Sequence, residues 1–192
     1  MKIRANSLCL TVCLTLSSAA VVATFSGCVA GDRYNRSTGE YIDDRAVDSR
    51  VKDALDDNAE YKFEDVNVAS FKGTVQLSGF VDIDSQKNTA GDIAKHVQGV
   101  KDVENDITVK DQSERSTGEY VDDKSLTAHV KDALNDNPEY KFDEVSVSAY
   151  KGTLQLSGFV NTSDQKTKAG DIARQVQGVQ EVVNNITVKD KL

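Results

Sequence analysis

The sequence has few of the residues from which small proteins build covalent cross-links, metal sites or nucleophiles. Its 192 residues include three cysteines, two histidines and no tryptophan. Cys9 and Cys13 lie in an N-terminal stretch that we expect to be removed, so disulfide bonds are excluded as a source of stability. No cysteine and histidine have the spacing of a zinc site, and no aspartate run matches a calcium loop. The sequence therefore predicts no metal and no cofactor.

Acidic residues outnumber basic residues in the sequence. The formal net charge is −8, and without Lys2 and Arg4 it becomes about −10. Nucleic-acid binding depends on lysine and arginine neutralising phosphates, so this balance argues against a nucleic-acid partner. It also weakens any role of bulk electrostatics in holding the protein on anionic lipids. We expect no small-molecule substrate either.

The most informative feature of the sequence is an internal duplication. Residues 36–111 align without a gap on residues 115–190, and roughly 60% of the positions are identical. Both copies begin with R-S-T-G-E-Y, contain Q-L-S-G-F-V and end with I-T-V-K-D. Two units of this size favour two small domains in tandem, because a solenoid needs three or more shorter repeats.

The two histidines stand at non-equivalent positions of the duplicated sequence. His96 aligns with Gln175. His129 aligns with Arg50. A catalytic site needed by both copies would not be built this way, so we expect both histidines to be solvent-facing helix residues. The sequence predicts no enzymatic activity.

The N-terminal residues have the layout of an export signal. Two positive charges, Lys2 and Arg4, precede an uncharged, largely apolar stretch from Leu8 to Phe25. The stretch is short for a membrane span and polar sequence follows it at once, which favours a signal peptide over a retained transmembrane anchor.

The end of this signal has two interpretations. Residues 25–28, Phe-Ser-Gly-Cys, resemble the lipobox of bacterial lipoproteins, which implies a signal peptide over residues 1–28 and lipidation of Cys28. Val29 rather than Asp follows, and the same resemblance then favours the outer membrane. The alternative is cleavage after Ala30, which would release a soluble periplasmic protein.

Each copy has the pattern of a helix, a hairpin, a second helix and a last strand. Asp43 and Asp44 precede apolar residues of helical period and are predicted to cap the first helix, as are Asp122 and Asp123 in the second copy. Short alternating runs on either side of Lys72-Gly73 predict a hairpin with its turn there.

The sequence therefore predicts an α+β fold of two αββαβ domains. In each domain a three-stranded mixed sheet carries both helices on one face, because this arrangement buries the apolar stripes together. The domains are expected over residues 43–111 and 122–190. Residues 29–42 are expected to form a flexible tether, and residues 112–121 a linker arm.

Six glycines recur at equivalent positions and are predicted to be structural: Gly73, Gly79, Gly99, Gly152, Gly158 and Gly178. Gly79 and Gly158 interrupt their strands, which indicates that another backbone or a helix comes close. Gly99 and Gly178 are predicted left-handed C-caps of the second helices.

The run K-G-T-V-Q-L-S-G-F-V, followed by A-G-D-I-A-K-H-V-Q-G-V-K-D-V-E-N-D-I-T-V, resembles the BON domain, and the second copy fits as well. Tandem members of that family behind an export signal are bacterial envelope proteins. The resemblance implies support of envelope integrity under stress, through contact with phospholipid surfaces or envelope partners. The alternative that it implies is a soluble periplasmic osmotic-stress or chaperone-like module that binds other proteins.

Three residues are candidates for membrane or partner contact. Tyr41 and Tyr120 lie in polar arms ahead of the first helices, where an exposed aromatic can dock a neighbouring domain or touch a lipid interface. The family resemblance implies that lipid contact is carried by the first helix of the second domain and the loop before it, which adds Leu126. The other aromatic residues are expected to pack in the cores or at their rims.

Overall fold

The computed structural model describes residues 38–111 and 117–189, with the side chains of residues 43–111 and 122–189. The order αββαβ occurs twice, which confirms the predicted α+β fold. The elements of domain 1 are α1 (Thr38–Asp56), β1 (Val66–Phe71), β2 (Thr74–Val81), α2 (Asp84–Lys95) and β3 (Asp102–Val109). Those of domain 2 are α3 (Thr117–Asn135), β4 (Val145–Tyr150), β5 (Thr153–Val160), α4 (Ser163–Gln175) and β6 (Glu181–Val188).

Each domain has one mixed sheet with its second strand in the centre. The strand orders are β1-β2-β3 and β4-β5-β6. The central strand pairs antiparallel with its hairpin partner and parallel with the last strand. A parallel neighbour requires a crossover connection, and α2 and α4 supply it.

The two domains have separate hydrophobic cores. In domain 1, Val51 of α1, Ala94 of α2 and Leu77 of β2 are fully buried in one cluster. Both helices therefore cover the same face of the sheet, as predicted. The equivalent residues of domain 2 form the second cluster.

The first helix of each domain begins earlier than the sequence pattern indicates. α1 starts at Thr38, within the arm expected to be a tether, and α3 starts at Thr117. The predicted N-caps at positions 43, 44, 122 and 123 are therefore wrong, because these aspartates lie inside the helices. The arms ahead of them contain no proline to stop a helix, and the helices extend into them.

Asp44 instead joins α1 to the β1–β2 turn. Its side chain is buried, and its carboxylate accepts hydrogen bonds from the backbone N–H of Lys72 at 3.0 Å and of Gly73 at 3.2 Å. The φ angles of these turn residues are +53° and +87°, as a two-residue type I′ hairpin requires. Lysine rarely adopts a positive φ, so the carboxylate stabilises a strained turn. Asp123 makes the same pair of bonds in domain 2.

Gly79 lies where the backbone before β1 comes closest to β2. Its φ is +117°, and a Cβ atom there would lie 2.0 Å from the carbonyl oxygen of Asp65. Gly158 has the same relation to Glu144. The predicted close approach of another backbone is confirmed.

The predicted C-caps at Gly99 and Gly178 are displaced. The C-cap of α2 is His96, and that of α4 is Val176. The chain continues through tight turns, in which Val97 and Val100 each bond to the carbonyl three residues earlier, before leaving the helix end. Gly99 has φ +98° inside this extension, so the left-handed conformation is confirmed and its capping role is wrong.

We expect Asp44→Ala to lower the free energy of unfolding by roughly 2–4 kcal/mol, because two turn N–H groups lose a charged acceptor. Urea denaturation followed by circular dichroism measures this difference. Asp43→Ala, an exposed neighbour, is the control and should change stability by less than about 0.5 kcal/mol. Equal losses from the two variants would contradict the role of Asp44.

Candidate functional site

The faces of the two sheets that the helices leave open pack against each other. Every residue of β2 from Val75 to Val81 is buried, and so is every residue of β5 from Leu154 to Val160. Alternate side chains of a strand point to opposite faces, so one set enters the domain core and the other meets the second sheet. At the centre of this contact the hydroxyls of Ser78 and Ser157 lie 2.6 Å apart.

Two glutamines bind across the contact in a reciprocal arrangement. The side-chain oxygen of Gln76 accepts a hydrogen bond from the backbone N–H of Gly158, and that of Gln155 accepts one from Gly79, each at 2.6 Å. Their amide nitrogens donate to the carbonyl oxygens of Asn185 and of its domain 1 counterpart, Asp106, also at 2.6 Å each. Both glutamines are 1% exposed. We call these two glutamines with Ser78 and Ser157 the polar seam.

Aromatic pairs flank the polar seam. Phe71 stacks with Phe159 at a ring-centroid distance of 5.7 Å, and Phe80 with Tyr150 at 5.6 Å. These four side chains were expected in the cores or at their rims, and the structure places them between the domains. Since aromatic pairs add packing energy around the buried hydrogen bonds, they keep water from the seam.

Lys110 closes one side of this contact. Its ammonium group lies 5.8 Å from the centre of the Tyr150 ring and forms ion pairs with Asp65 at 3.2 Å and Asp82 at 3.1 Å. Burial alone would lower the pKa of Lys110, but the hydrogen bonds and charges of the two aspartates outweigh it and raise the pKa above 10.5. The side chain therefore stays charged at physiological pH.

Two equivalent grooves flank the contact between the domains. The α3 groove, of about 400 Å³, is lined by residues of α3, β1, β2 and β4 with their adjoining segments, among them Phe80, Lys124, Thr127, Lys131 and Tyr150. The α1 groove, of about 330 Å³, is lined by the equivalent elements with the domains exchanged, which are α1, β1, β4 and β5 with their adjoining segments. Its lining includes Arg45, Asp48, Lys52 and Phe159. The helices that border them differ in charge, because Thr127 of α3 stands where α1 has Asp48.

The structure places Leu126 in the core of domain 2, where it is 5% exposed. Its predicted membrane contact is therefore wrong, since the helical period that puts Leu126 on the apolar face of α3 also turns it away from solvent. The side chains of Tyr41 and Tyr120 lie outside the described residues, and so does Cys28. His96 and His129 are exposed, as predicted.

Sequence reasoning missed the polar seam, although a signal for it is present. Gln76 and Ser78 occupy alternate positions of a central strand, and both copies carry the same residues there. Polar residues at these positions suggest a solvent-facing side of the sheet. A second sheet covers that side, and no local pattern reveals it.

Within the described part of the chain, no three His, Cys, Asp or Glu side chains come together as a metal site requires. Among the helices that the structure describes, none has the length and apolar character needed to cross a membrane. What the fold presents is a pair of α+β modules packed sheet to sheet, with grooves at their junction.

The protein is therefore a tandem pair of α+β domains that pack against each other through their sheets. The family model described as BON domain matches residues 43–111 and 122–190. The chain belongs to the BON domain family.

Curated relatives cover most of the chain. It is 34% identical over 163 residues to the Osmotically-inducible protein Y of Escherichia coli (strain K12), a match that spans 83% of this chain and 81% of that protein. It is 36% identical over 149 residues to the Outer membrane lipoprotein DolP of Haemophilus influenzae, spanning 77% of this chain and 76% of the relative. Among solved structures, the C-terminal domain of CdsD, a structural protein of the Type III secretion system of Chlamydia trachomatis, matches 76% of this chain and 66% of that chain, with 21% identity and a TM-score of 0.31.

We expect Gln76→Ala to loosen the contact between the domains. The N–H of Gly158 loses its acceptor while it stays buried, which costs roughly 1–3 kcal/mol. Amide hydrogen exchange should therefore become at least about fivefold faster at Gly158. Gln177→Ala, at an exposed position, is the control. Unchanged exchange at Gly158 in the Gln76→Ala variant would contradict the assignment.

Proposed function

We propose that this protein is a non-catalytic binding protein of the bacterial envelope. It is anchored in the outer membrane through a lipidated Cys28 and contacts phospholipid through the α3 groove, which supports envelope integrity under stress. The names of two relatives support this location and role, since one is an outer membrane lipoprotein and the other is osmotically inducible.

The observation that carries the proposal is the closed packing of the two sheets. The polar seam occupies the open face of both sheets, so a ligand has to bind at helices, at grooves or at the ends of the domains. A preformed surface loses little entropy when it binds, so such a surface can hold a ligand without reordering the chain. Both domains contribute to the two grooves beside the seam.

The α3 groove suits the interface of a phospholipid bilayer better than the α1 groove does. Lys124 and Lys131 line it beside Val147 and Tyr150, so cationic and apolar groups lie together. Lysine stems pack on apolar surface while their ammonium groups reach lipid phosphates. Three lysines offset three carboxylates in the lining of the α3 groove. In the α1 groove two cations face three carboxylates, and Asp48 is the additional negative charge on the helix.

The position of α1 limits how far the domains can lie from an anchoring acyl group. The chain from Cys28 to Thr38 spans at most about 35 Å when fully extended. A lipidated Cys28 would therefore keep the start of α1 close to the membrane surface. Local concentration then compensates for weak intrinsic affinity.

Vesicle binding tests the α3 groove. In a chain with Cys28→Ala, which removes any contribution of the acyl group, we expect Lys124→Glu with Lys131→Glu to reduce pelleting with phosphatidylglycerol-containing vesicles by about tenfold or more, because each lysine near the surface contributes about 1 kcal/mol. The matched control is Arg45→Glu with Lys52→Glu, the equivalent change in α1. Equal loss in both variants, or no loss in either, would refute binding through this groove.

Analysis of the mature N-terminus tests the anchor. We expect mass spectrometry of the membrane fraction to find an acylated Cys28 as the first residue, and Cys28→Ala to move the protein to the soluble fraction. An N-terminus at Gly31 would instead favour the soluble stress module that binds other proteins, the role suggested by the Osmotically-inducible protein Y.

A further inference from the structure

Another concave surface lies at the end of domain 1 that carries the β1–β2 turn. It is a cavity of about 540 Å³ between α1, the β1–β2 turn and the segment after α2. Three cationic side chains line it, those of Arg50, Lys72 and Lys101. We call it the Arg50 cavity. Three converging cations are notable in a protein whose net charge is −8.

These cations have no ion-pair partner in the part of the chain that the structure describes. Arg50 donates to two backbone carbonyl oxygens, those of Ala46 and Gln98. Lys72 lies 5.2 Å from the centre of the Phe71 ring. Lys101 makes no side-chain hydrogen bond or ion pair within the described residues. Their charges are therefore available to a ligand.

The nearest carboxylates do not neutralise the cavity. Asp43 and Asp44 line it as well. The carboxylate of Asp44 is directed to the turn, where it accepts the backbone N–H groups of Lys72 and Gly73. Counting all five charged lining residues, the cavity carries a net charge of +1.

Two glycines shape the cavity around its cations. A Cβ atom on Gly73 would lie 3.1 Å from the side chain of Lys101, and one on Gly99 would lie 3.4 Å from a guanidinium nitrogen of Arg50. Both side chains therefore lie directly against backbone. The carbonyl of Gln98 also holds the guanidinium of Arg50, so that group is positioned before any ligand arrives.

Domain 2 provides an internal comparison. The equivalent cavity, of about 370 Å³, has His129, Lys151 and Gln180 in place of the three cations. Lys151 is paired with Asp111 at 3.3 Å. The equivalent aspartates, Asp122 and Asp123, line the second cavity, so its formal net charge, counted from lysine and aspartate, is −1. The two copies keep the same backbone here and differ in the side chains that an anion would contact.

We propose that the Arg50 cavity binds a phosphate group, either free or as part of a lipid headgroup. A guanidinium presents paired donors that match phosphate oxygens, and lysines add strong point charges. Three cations suit a doubly charged phosphate better than a single carboxylate. The site lies on a different surface from the α3 groove, so it goes beyond the function proposed above and can fail independently of it.

Phosphate titration of the full chain tests the site. With ¹⁵N-labelled protein at constant ionic strength, sodium phosphate should shift the amide resonances of Gly73 and Gly99 saturably, while sodium chloride and sodium acetate should not. Lys101→Gln, the residue found in domain 2, should weaken phosphate binding by about tenfold. Lys168→Gln removes an exposed lysine elsewhere and should leave binding unchanged. Gln180→Lys should increase phosphate-induced shifts at Gly178.

Vesicles distinguish the two sources of phosphate. If the phosphate belongs to a lipid, Lys101→Gln in the Cys28→Ala chain should also weaken pelleting with phosphatidylglycerol vesicles by about tenfold. If it is a free phosphate, the variant should lose the response to sodium phosphate and keep vesicle binding. Equal shifts with acetate or chloride, or Lys101→Gln without effect in both assays, would overturn the proposal.

Discussion

The reciprocal hydrogen bonds of Gln76 and Gln155 hold the two domains in a single arrangement. A buried amide that lost its partners would cost roughly 1–3 kcal/mol, so the sheets are stable together only where both amides reach the facing glycine N–H groups. Sliding one sheet across the other would separate both amides from the groups that they bind and leave them buried without a partner. An apolar contact of the same area would tolerate several registers. The polar seam therefore provides orientation as well as stability.

The location of the remaining surfaces follows from the seam. The seam buries the open face of each sheet. A partner can therefore reach only the helices, the grooves between the domains and the ends of the domains. The approximate two-fold relation makes each of these surfaces occur twice. Equivalent surfaces with different side chains then show which chemical group one copy has and the other lacks. One example is Thr127, which occupies in α3 the position of Asp48 in α1.

Within each domain the sequence predicts the architecture well, because the information is local. The alternation around Leu77 and the helical period through Val51 report which side of each element is apolar, and one covered face per sheet is enough to assemble αββαβ. The helix starts are predicted less well. Asp44 has the composition of an N-cap, yet its carboxylate binds a turn 28 residues later in the chain, and only the folded chain brings the two together.

The contact between the domains escapes prediction for a different physical reason. The pattern around Gln76 and Ser78 is typical of a solvent-exposed face of a sheet. These residues are buried only because the equivalent strand, 79 positions later and with the same residues, packs against them. The duplication reveals that the residues repeat, but repetition by itself does not indicate self-association. Cys28, Tyr41 and Tyr120 lie outside the side chains that the structure describes, so lipidation at the first and contact at the other two stay predictions.

Symmetry explains why some positions of the two copies are the same and others differ. The reciprocal hydrogen bonds of the seam need the same residue on both sides, since each glutamine is donor and acceptor for the other domain. A change in one copy would leave a buried group unsatisfied in the other. Arg50 and Lys101 make no hydrogen bond or ion pair across the seam within the described residues, so these two positions are under no such constraint. The cavity of domain 1 can therefore contain Arg50 and Lys101 where that of domain 2 contains His129 and Gln180, and the two cavities can bind different ligands.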